Sequence, residues 1–333
     1  MSEVAERAGV STMTVSFVVN RKVGVRPETR HAVERAIAEL GYVPNRAARA
    51  LASGTSRRIG FLFQTEPRQF LNRLLLGGVR ASSKYNMELI LQESSSSKGE
   101  ALAAISSMIA RGIDGVMVPA SLVQNAADYF ALSELKLPCI LLSPAEPHPG
   151  IASIGIDQRS AADEIVRLLI DGGHSRIAFV GGDAVHPAAR VRYQGYRDAL
   201  SQAGLAFDDA LAVDGGFNYR RALAAVEHLL ALPEPPSAIF AGNDEMAAAA
   251  LSAAHRMGVP VPSRLCVAGF DDAPIATQVW PTLTTVRQPF DGIAERAIEL
   301  LDSALEDKGS PLSREAIHIP YEIIERESTG ATA

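Results

Sequence analysis

The side chains best suited to chemistry in this 333-residue chain stand directly after short apolar runs. Ser143 follows Cys139–Leu142, Asp157 follows Ile154–Ile156, Asn243 and Asp244 follow Ile239–Ala241, and Asp271 and Asp272 follow Cys266–Phe270. Arg190 and Arg192 come shortly after the turn Gly181-Gly182-Asp183. Carboxylates, amides and guanidinium groups fix hydrogen bonds in definite directions, so this set suits holding a polyol or a similar polar ring. It does not suit bond making. No carboxylate pair has a base partner, and the seven histidines are scattered without metal-ligand spacing. Ser94–Gly99 reads as a solvated loop, and no GxGxxG or Walker spacing follows a strand. The chain therefore reads as non-enzymatic, without cofactor or metal. Each of these residues alone serves equally well as a helix cap, Asn243 before Ala247–Ala250 being the plainest case. Their recurrence at several strand ends favours a ligand site.

The elements that would position them alternate. Strand-like runs are Ile59–Phe63, Glu88–Leu91, Gly115–Val118, Cys139–Leu142, Ile177–Val180, Ile239–Ala241 and Cys266–Phe270. Between them lie amphipathic stretches, among them Leu71–Tyr85, Ala101–Arg111, Ala161–Asp171, Val191–Ala203, Tyr219–Leu232 and Asp244–Met257. Apolar strands separated by helices of this length predict βαβ units with parallel sheets. About 270 residues suffice for two such doubly wound subdomains, roughly the size of two ordinary domains. Open parallel sheets bind ligands beyond their C-terminal strand ends, and two facing sheets make a cleft that closes on a small molecule.

Charge divides the chain a second way. Residues 1–58 hold ten Lys+Arg against five Asp+Glu, net +5; the whole chain holds 32 against 38, net −6; the remainder is therefore −11. A basic head suits a polyanion, while the acidic body is repelled by it. In the head, Val4, Ala5 and Ala8 form one apolar stripe on a helix from Glu3 to Ala8. Gly9 suits the left-handed position that follows a helix, and Ser11 suits the N-cap of a second helix running to about Val19. On that helix Val15, Val18 and Val19 face inward, leaving Thr12, Met13, Ser16 and Phe17 outward. This is the helix-turn-helix pattern, whose second helix enters the major groove. A third helix starts at Pro27, buries Ala32, Val33, Ala36, Ile37 and Leu40, and ends at Gly41. Asn45–Ala52 carries helix formers, two arginines and Leu51, and is too short to be a stable helix alone. Cys139 and Cys266 lie in apolar runs and read as buried free thiols. No apolar run reaches the length of a membrane span and the first residues are not a secretory signal, so the cytoplasm is the expected location.

The segments Val4-Ala5-x-x-Ala8-Gly9-Val10-Ser11-x-x-Thr14-Val15-Ser16-x-Val18-x-Asn20, Pro27-x-Thr29-Arg30, Leu40-Gly41-Tyr42-x-Pro44-Asn45 and Ala50-Leu51-Ala52 resemble the lactose/galactose repressor family. The likeness continues through Gly173-His174-x-Arg176-Ile177, Arg190-x-Arg192-x-x-Gly195, Asn243-Asp244-x-Met246-Ala247, Gly269-Phe270-Asp271-Asp272 and Leu283-Thr284-Thr285-Val286-x-Gln288, so it covers essentially the full chain. It implies an all-α helix-turn-helix head (1–44), a hinge helix and linker (45–58), and a periplasmic-binding-protein-like α/β body (59–333). The body's first half would be about 59–156 with 288–317, and its second half about 157–287 with 318–330. By position the resemblance gives Arg192, Asn243 and Asp271 hydrogen bonds to an effector and Phe217 a stacking role. Ser143, Ile156, Gln288 and Phe290 would complete the wall. Thr12, Met13, Ser16 and Phe17 would face base edges, and Thr14, Asn20 and Arg21 phosphates. Asn45, Arg46, Ala48, Arg49 and Leu51 would lie in the minor groove, where Leu51 wedges into a base step.

The implied partners are operator DNA, a second copy of the chain, and a small effector, a sugar or sugar acid, with no membrane. No leucine heptads follow Glu325, so a four-chain helical assembly is not expected. A dimer is expected, because two recognition helices must meet two half-sites about one DNA turn apart. Three departures stand out. Phe17 occupies a position where many relatives carry a guanine-reading arginine, and it offers only apolar contact. Arg26 replaces a common capping serine, and Met1-Ser2-Glu3 is a short lead into helix one. A solute-binding protein of a transport system would fit the body alone, but not the basic head. A regulator whose cleft is inactive or replaced by a protein co-regulator is a further alternative.

Overall fold

The computed structural model describes residues 2–19, 25–40, 57–64, 69–95, 97–123, 125–306 and 312–330. The chain forms two compact units, Met1–Ser56 and Arg57–Ala333.

The first unit contains α1 (Ser2–Ala8), α2 (Thr12–Val19) and α3 (Pro27–Glu39). Val4, Ala5, Val15, Val18, Val33 and Ala36 form its small core. The turn between α1 and α2 closes with Gly9 at φ +64° and the Val10 amide donating to the Ala5 carbonyl at 2.9 Å. Ser11 caps α2, its Oγ accepting from the Thr14 amide at 3.1 Å. Leu40 departs from the expected apolar face. It is 44% exposed, one residue past the end of α3, where the helical period no longer aims it at the core.

The second unit holds two six-stranded sheets. Its elements are β1 (Arg58–Phe63), α4 (Gln69–Lys84), β2 (Glu88–Glu93), α5 (Glu100–Ala110), β3 (Gly115–Pro119), α6 (Ala126–Ser133), β4 (Cys139–Leu142) and β5 (Ala152–Gly155). There follow α7 (Gln158–Asp171), β6 (Ile177–Gly181), α8 (Pro187–Gln202), β7 (Ala212–Asp214), α9 (Tyr219–Leu230), β8 (Ala238–Ala241), α10 (Asp244–Arg256) and β9 (Cys266–Asp271). The last are β10 (Thr284–Arg287), α11 (Phe290–Glu306), β11 (Ala316–His318) and β12 (Glu322–Ile324). The first sheet runs β11-β5-β4-β3-β1-β2 and the second β12-β10-β9-β8-β6-β7. Every pairing is parallel except β10 with β12.

Each sheet is covered on both faces, which is why its central strands are apolar throughout. On the first, Leu71, Leu74, Ala297 and Leu301 of α4 and α11 pack on one face, with Ile105, Met108 and Leu132 of α5 and α6 on the other. On the second, Ile165, Leu169 and Tyr196 of α7 and α8 lie on one face and Val226, Leu229 and Ala247 of α9 and α10 on the other. Helices α7 and α8 approach closely because position 195 is glycine: a Cβ there would lie 2.3 Å from the Arg159 carbonyl oxygen. Between the sheets the chain crosses three times, after β5, after β10 and after β11. His318 closes β11 opposite Gly155 and so belongs to the first sheet. At the second unit's first residue, Arg57 is paired with Asp302 and, at 3.2 Å, with Glu306, both on α11.

Both cysteines are buried and free, and burial pushes the Cys139 thiol up to about 12. No helix among the described residues is long and apolar enough to cross a membrane.

Candidate effector cleft

The C-terminal ends of both sheets open on one cavity of about 470 Å³. This lies within the range of small-molecule sites and where open parallel sheets place them. The structure brings Ser143, Arg192, Phe217, Asn243, Asp271, Gln288 and Phe290 to its wall. It does not bring Ile156 there. That side chain is 3% exposed, packs with Ile165 and Phe240 in the second sheet's core, and its edge lines a separate cavity of about 170 Å³.

Arg192, from α8, is 6% exposed and held from four sides. It donates to Gln158 Oε1 at 3.1 Å and to the Gly242 carbonyl, and its Nη2 lies 3.6 Å from Asp271 Oδ1. Its guanidinium carbon sits 3.8 Å from the centroid of the Phe270 ring. Burial lowers its pKa, opposed by the charges of Asp271 and Asp244. Asp271 accepts from Gln288 Nε2 at 2.7 Å. Burial raises its pKa; Arg192, Gln288 and Arg73 act against that. Asp244 is 1% exposed, accepting from Thr285 Oγ1 at 2.6 Å and from the Ala273 amide at 2.7 Å. Burial, then repulsion from Asp271, pushes its pKa well above the usual carboxylate range.

Two buried polar atoms of the wall, Ser143 Oγ and Gln288 Oε1, have no hydrogen-bond partner among the described residues. Such atoms are costly unless something completes them. Backbone strain collects in the same place. Ser143 (φ +50°), Phe217 (φ +50°) and Asp271 (φ +109°) all line the cavity, and Asp272 (φ +48°) adjoins it. Left-handed backbone at non-glycine residues is typical of ligand sites, where surrounding structure enforces it.

Helix capping and wall-lining prove compatible at Asn243. Its Oδ1 accepts from the Met246 amide at 2.9 Å, which leaves the amide nitrogen as a donor. At Asp157 capping prevails: its carboxylate serves the Arg159 and Ser160 amides of α7. Arg190 is turned away from the cavity and ties the Ala184 and Val185 carbonyls. Asp272 is committed to Arg287 at 2.6 Å and Arg326 at 2.7 Å. The wall also contains residues that sequence reasoning passed over: Phe70, Ser121, Tyr129, Gln158, His186, Asn218 and Glu245. Asn218 was accessible to it, as the natural cap of α9 directly after Phe217; its Oδ1 accepts from the Arg220 and Arg221 amides. Tyr129 sits on the unread helix α6 and stacks on His148 at 4.6 Å.

In the first unit, Thr12 and Met13 are exposed, Met13 at 66%, and Phe17 is half-buried on the same helix. Thr14 Oγ1 lies 2.9 Å from Ser11 Oγ, inside the cap. The backbone of Ser16 belongs to α2. Asn20, Arg21, Asn45, Arg46, Ala48, Arg49 and Leu51 lie outside the described residues.

A body whose two parallel sheets share a ligand-sized cleft, preceded in the chain by a helix-turn-helix unit, defines a ligand-responsive transcriptional regulator. Residues 1–45 match the profile described as bacterial regulatory proteins, lacI family, and residues 166–329 that of a periplasmic binding protein-like domain. The chain is 34% identical over 331 residues to the catabolite control protein A of Priestia megaterium, across 98% of each chain. It is 32% identical over 302 residues to the ribose operon repressor of Escherichia coli (strain K12), covering 90% of this chain and 91% of that one. Similar solved structures include the lac repressor dimer bound to operator and the anti-inducer ONPF (TM-score 0.78, 26% identity, 98% of each chain). Another is the transcriptional regulator CelR–cellobiose complex (TM-score 0.73, 30% identity, 98% of each chain). The chain belongs to the lacI family of bacterial regulatory proteins.

Proposed function

We propose that this chain is a cytoplasmic repressor that binds a pseudo-palindromic operator as a homodimer, without enzymatic activity of its own. Its operator affinity is set by a small polar effector, a sugar or sugar acid, held between the two halves of the body. Residues 1–44 read the DNA, 45–58 couple head to body, and 59–333 sense the effector. In this reading Thr12, Met13, Ser16 and Phe17 meet base edges, while Thr14, Asn20 and Arg21 meet phosphates. Asn45, Arg46, Ala48, Arg49 and Leu51 sit in the minor groove. Ser143, Arg192, Phe217, Asn243, Asp271, Gln288 and Phe290 hold the effector.

The observation that carries the reading is the convergence of those seven side chains on one cavity whose buried Ser143 Oγ and Gln288 Oε1 lack partners among the described residues. Relatives named for a ribose operon and for cellobiose support a carbohydrate. Regulation requires that the effector bind one state of the protein better than the other; equal binding shifts nothing. The test is a mobility shift of the full chain on DNA upstream of its own and neighbouring genes, with and without a sugar panel. A retarded fragment whose retardation changes with one sugar is the expected result. Retardation that no sugar changes would leave a DNA-binding protein without the proposed switch, and no retardation at all would refute the operator role.

A further inference from the structure

Gln158 stands at the first position of α7, 3% exposed, with a partner on each side of its amide. Its Oε1 accepts from Arg192 Nε at 3.1 Å, and its Nε2 donates to the Pro144 carbonyl at 3.4 Å. Arginine offers only donors and a carbonyl only an acceptor, so a single orientation of the amide serves both. The two partners belong to different halves of the body. Arg192 is on α8, which packs on the second sheet, whereas Pro144 follows Ser143 directly after β4 of the first. The bond to Pro144 runs between the cleft, which Gln158 lines, and the smaller cavity of about 170 Å³, which Pro144 lines.

Both ends of this bridge are anchored. On one side Asp157 caps α7 through the Arg159 and Ser160 amides, and Arg159 grips Asp198 of α8 at 2.6 and 3.0 Å. Gly195 lets the two helices touch, so Gln158 and Arg192 ride on one rigid body. On the other side the Ser143 amide donates to the Ile154 carbonyl at 2.7 Å, which ties the segment before Pro144 to β5. Rotation of the halves about their crossovers spares the Gln158–Arg192 bond and bears on the Gln158–Pro144 bond. Parting the latter strands a buried amide and a buried carbonyl, a cost that favours the arrangement seen.

We propose that Gln158 is a positioning residue of the switch: it holds the Arg192 guanidinium in place for the effector and, by the same amide, holds the angle between the two halves. This rests on the effector role of the cleft and adds the part that joins its arginine to the opposite half. The experiment measures the width of the cleft mouth without any sugar, so the mobility shift with a sugar panel stays a separate test of that role. Phe130 adjoins Tyr129 of one wall and Val185 adjoins His186 of the other; both are exposed, at 67% and 63%, while Cys139 and Cys266 are buried. Spin labels on Phe130→Cys and Val185→Cys of the full chain, diluted with unlabelled chain, report the distance between the halves by double electron–electron resonance. Gln158→Glu keeps an acceptor for Arg192, and its carboxylate, held ionised beside the guanidinium, sets an oxygen against the Pro144 carbonyl. Gln158→Met, of similar size, makes neither bond. A narrow distribution with Gln158 in place that broadens in both variants is the expected result. A distribution already broad with Gln158, or one that stays unchanged in either folded variant, overturns the bridge; an effect of methionine alone would mean that support of Arg192 suffices. Thermal unfolding of each variant is measured alongside, because a merely structural residue lowers Tm and leaves the mouth distance where it was. The near-isosteric methionine variant carries the test if the glutamate variant does not fold.

Discussion

Replacing Arg192 by leucine isolates the pair at the centre of the cleft. At 3.6 Å and an effective dielectric of about 20, opposite unit charges attract by about 4–5 kcal/mol. The substitution also removes the bonds to Gln158 and the Gly242 carbonyl, while relieving the cost of burying the guanidinium. Removing one partner of a buried pair commonly costs 3–5 kcal/mol, because the other charge is left uncompensated, and about 3 kcal/mol is expected here. In a unit of this size that lowers Tm by about 6–10 °C. The pH dependence follows from Asp271. Burial already raises its pKa above 3.8, and losing Arg192, which opposes the rise, raises it further. A carboxylate with a raised folded pKa contributes stability that is full below its unfolded pKa and is lost as pH rises through the folded one. The deficit of the variant relative to wild type should therefore be largest near neutral pH and shrink as the pH falls toward 4. Thermal unfolding followed by circular dichroism at several pH values measures it, with Arg192→Leu/Asp271→Leu as the partner variant that recovers part of the loss. A deficit of constant size across pH, or a double variant no more stable than the single one, would refute the pairing.

Three further outcomes are expected. Gly195→Ala places a Cβ 2.3 Å from the Arg159 carbonyl and 2.8 Å from Ala162 Cβ, so α7 and α8 must part at a cost of about 1–3 kcal/mol; an unchanged Tm would contradict this. Ser11→Ala removes the cap of α2 and should cost the head about 1 kcal/mol, read as faster amide exchange in α1–α3 with the body's melting unchanged. Phe17→Arg should raise affinity for half-sites containing guanine, since arginine donates to its major-groove edge; equal binding to guanine-containing and guanine-free half-sites would rule it out.

What sequence made legible follows burial. Cys139–Leu142 reads correctly to the residue because a parallel strand covered on both faces is an unbroken apolar run bounded by turns. Strand β10 escapes the same reading because it is threonine-rich, with Thr284 and Thr285 fully buried through hydroxyl bonds to Arg326 and Asp244 that no local pattern announces. Strands β7, β11 and β12 are three residues each at sheet edges and exist by pairing alone. Helix α11 shows a clear apolar period at Phe290, Ile293, Ala294, Ala297, Ile298 and Leu301, yet is not among the elements read from sequence. In the cleft, strand-end residues such as Ser143, Asn243 and Asp271 were within reach of that logic, whereas Gln158 and Tyr129 enter from helices that the fold alone swings over the site. Arg190 and Arg192 could be separated in advance. Residues two apart on a helix point to different sides, so only one of them faces the cavity.

Helix α11 begins with Phe290 in the cleft wall and grips Arg57, the first residue of the second unit, through Asp302 and Glu306. From Phe290 to Asp302 is about 18 Å of hydrogen-bonded backbone at 1.5 Å per residue. A helix is stiff along its axis in a way that a loop is not, so it behaves as a connecting rod. A displacement of the aromatic ring at one end would reach the point of chain entry at the other as translation along that backbone. The two carboxylates at its far end are the attachment, and shortening or neutralising either one would loosen the hold of the helix on Arg57.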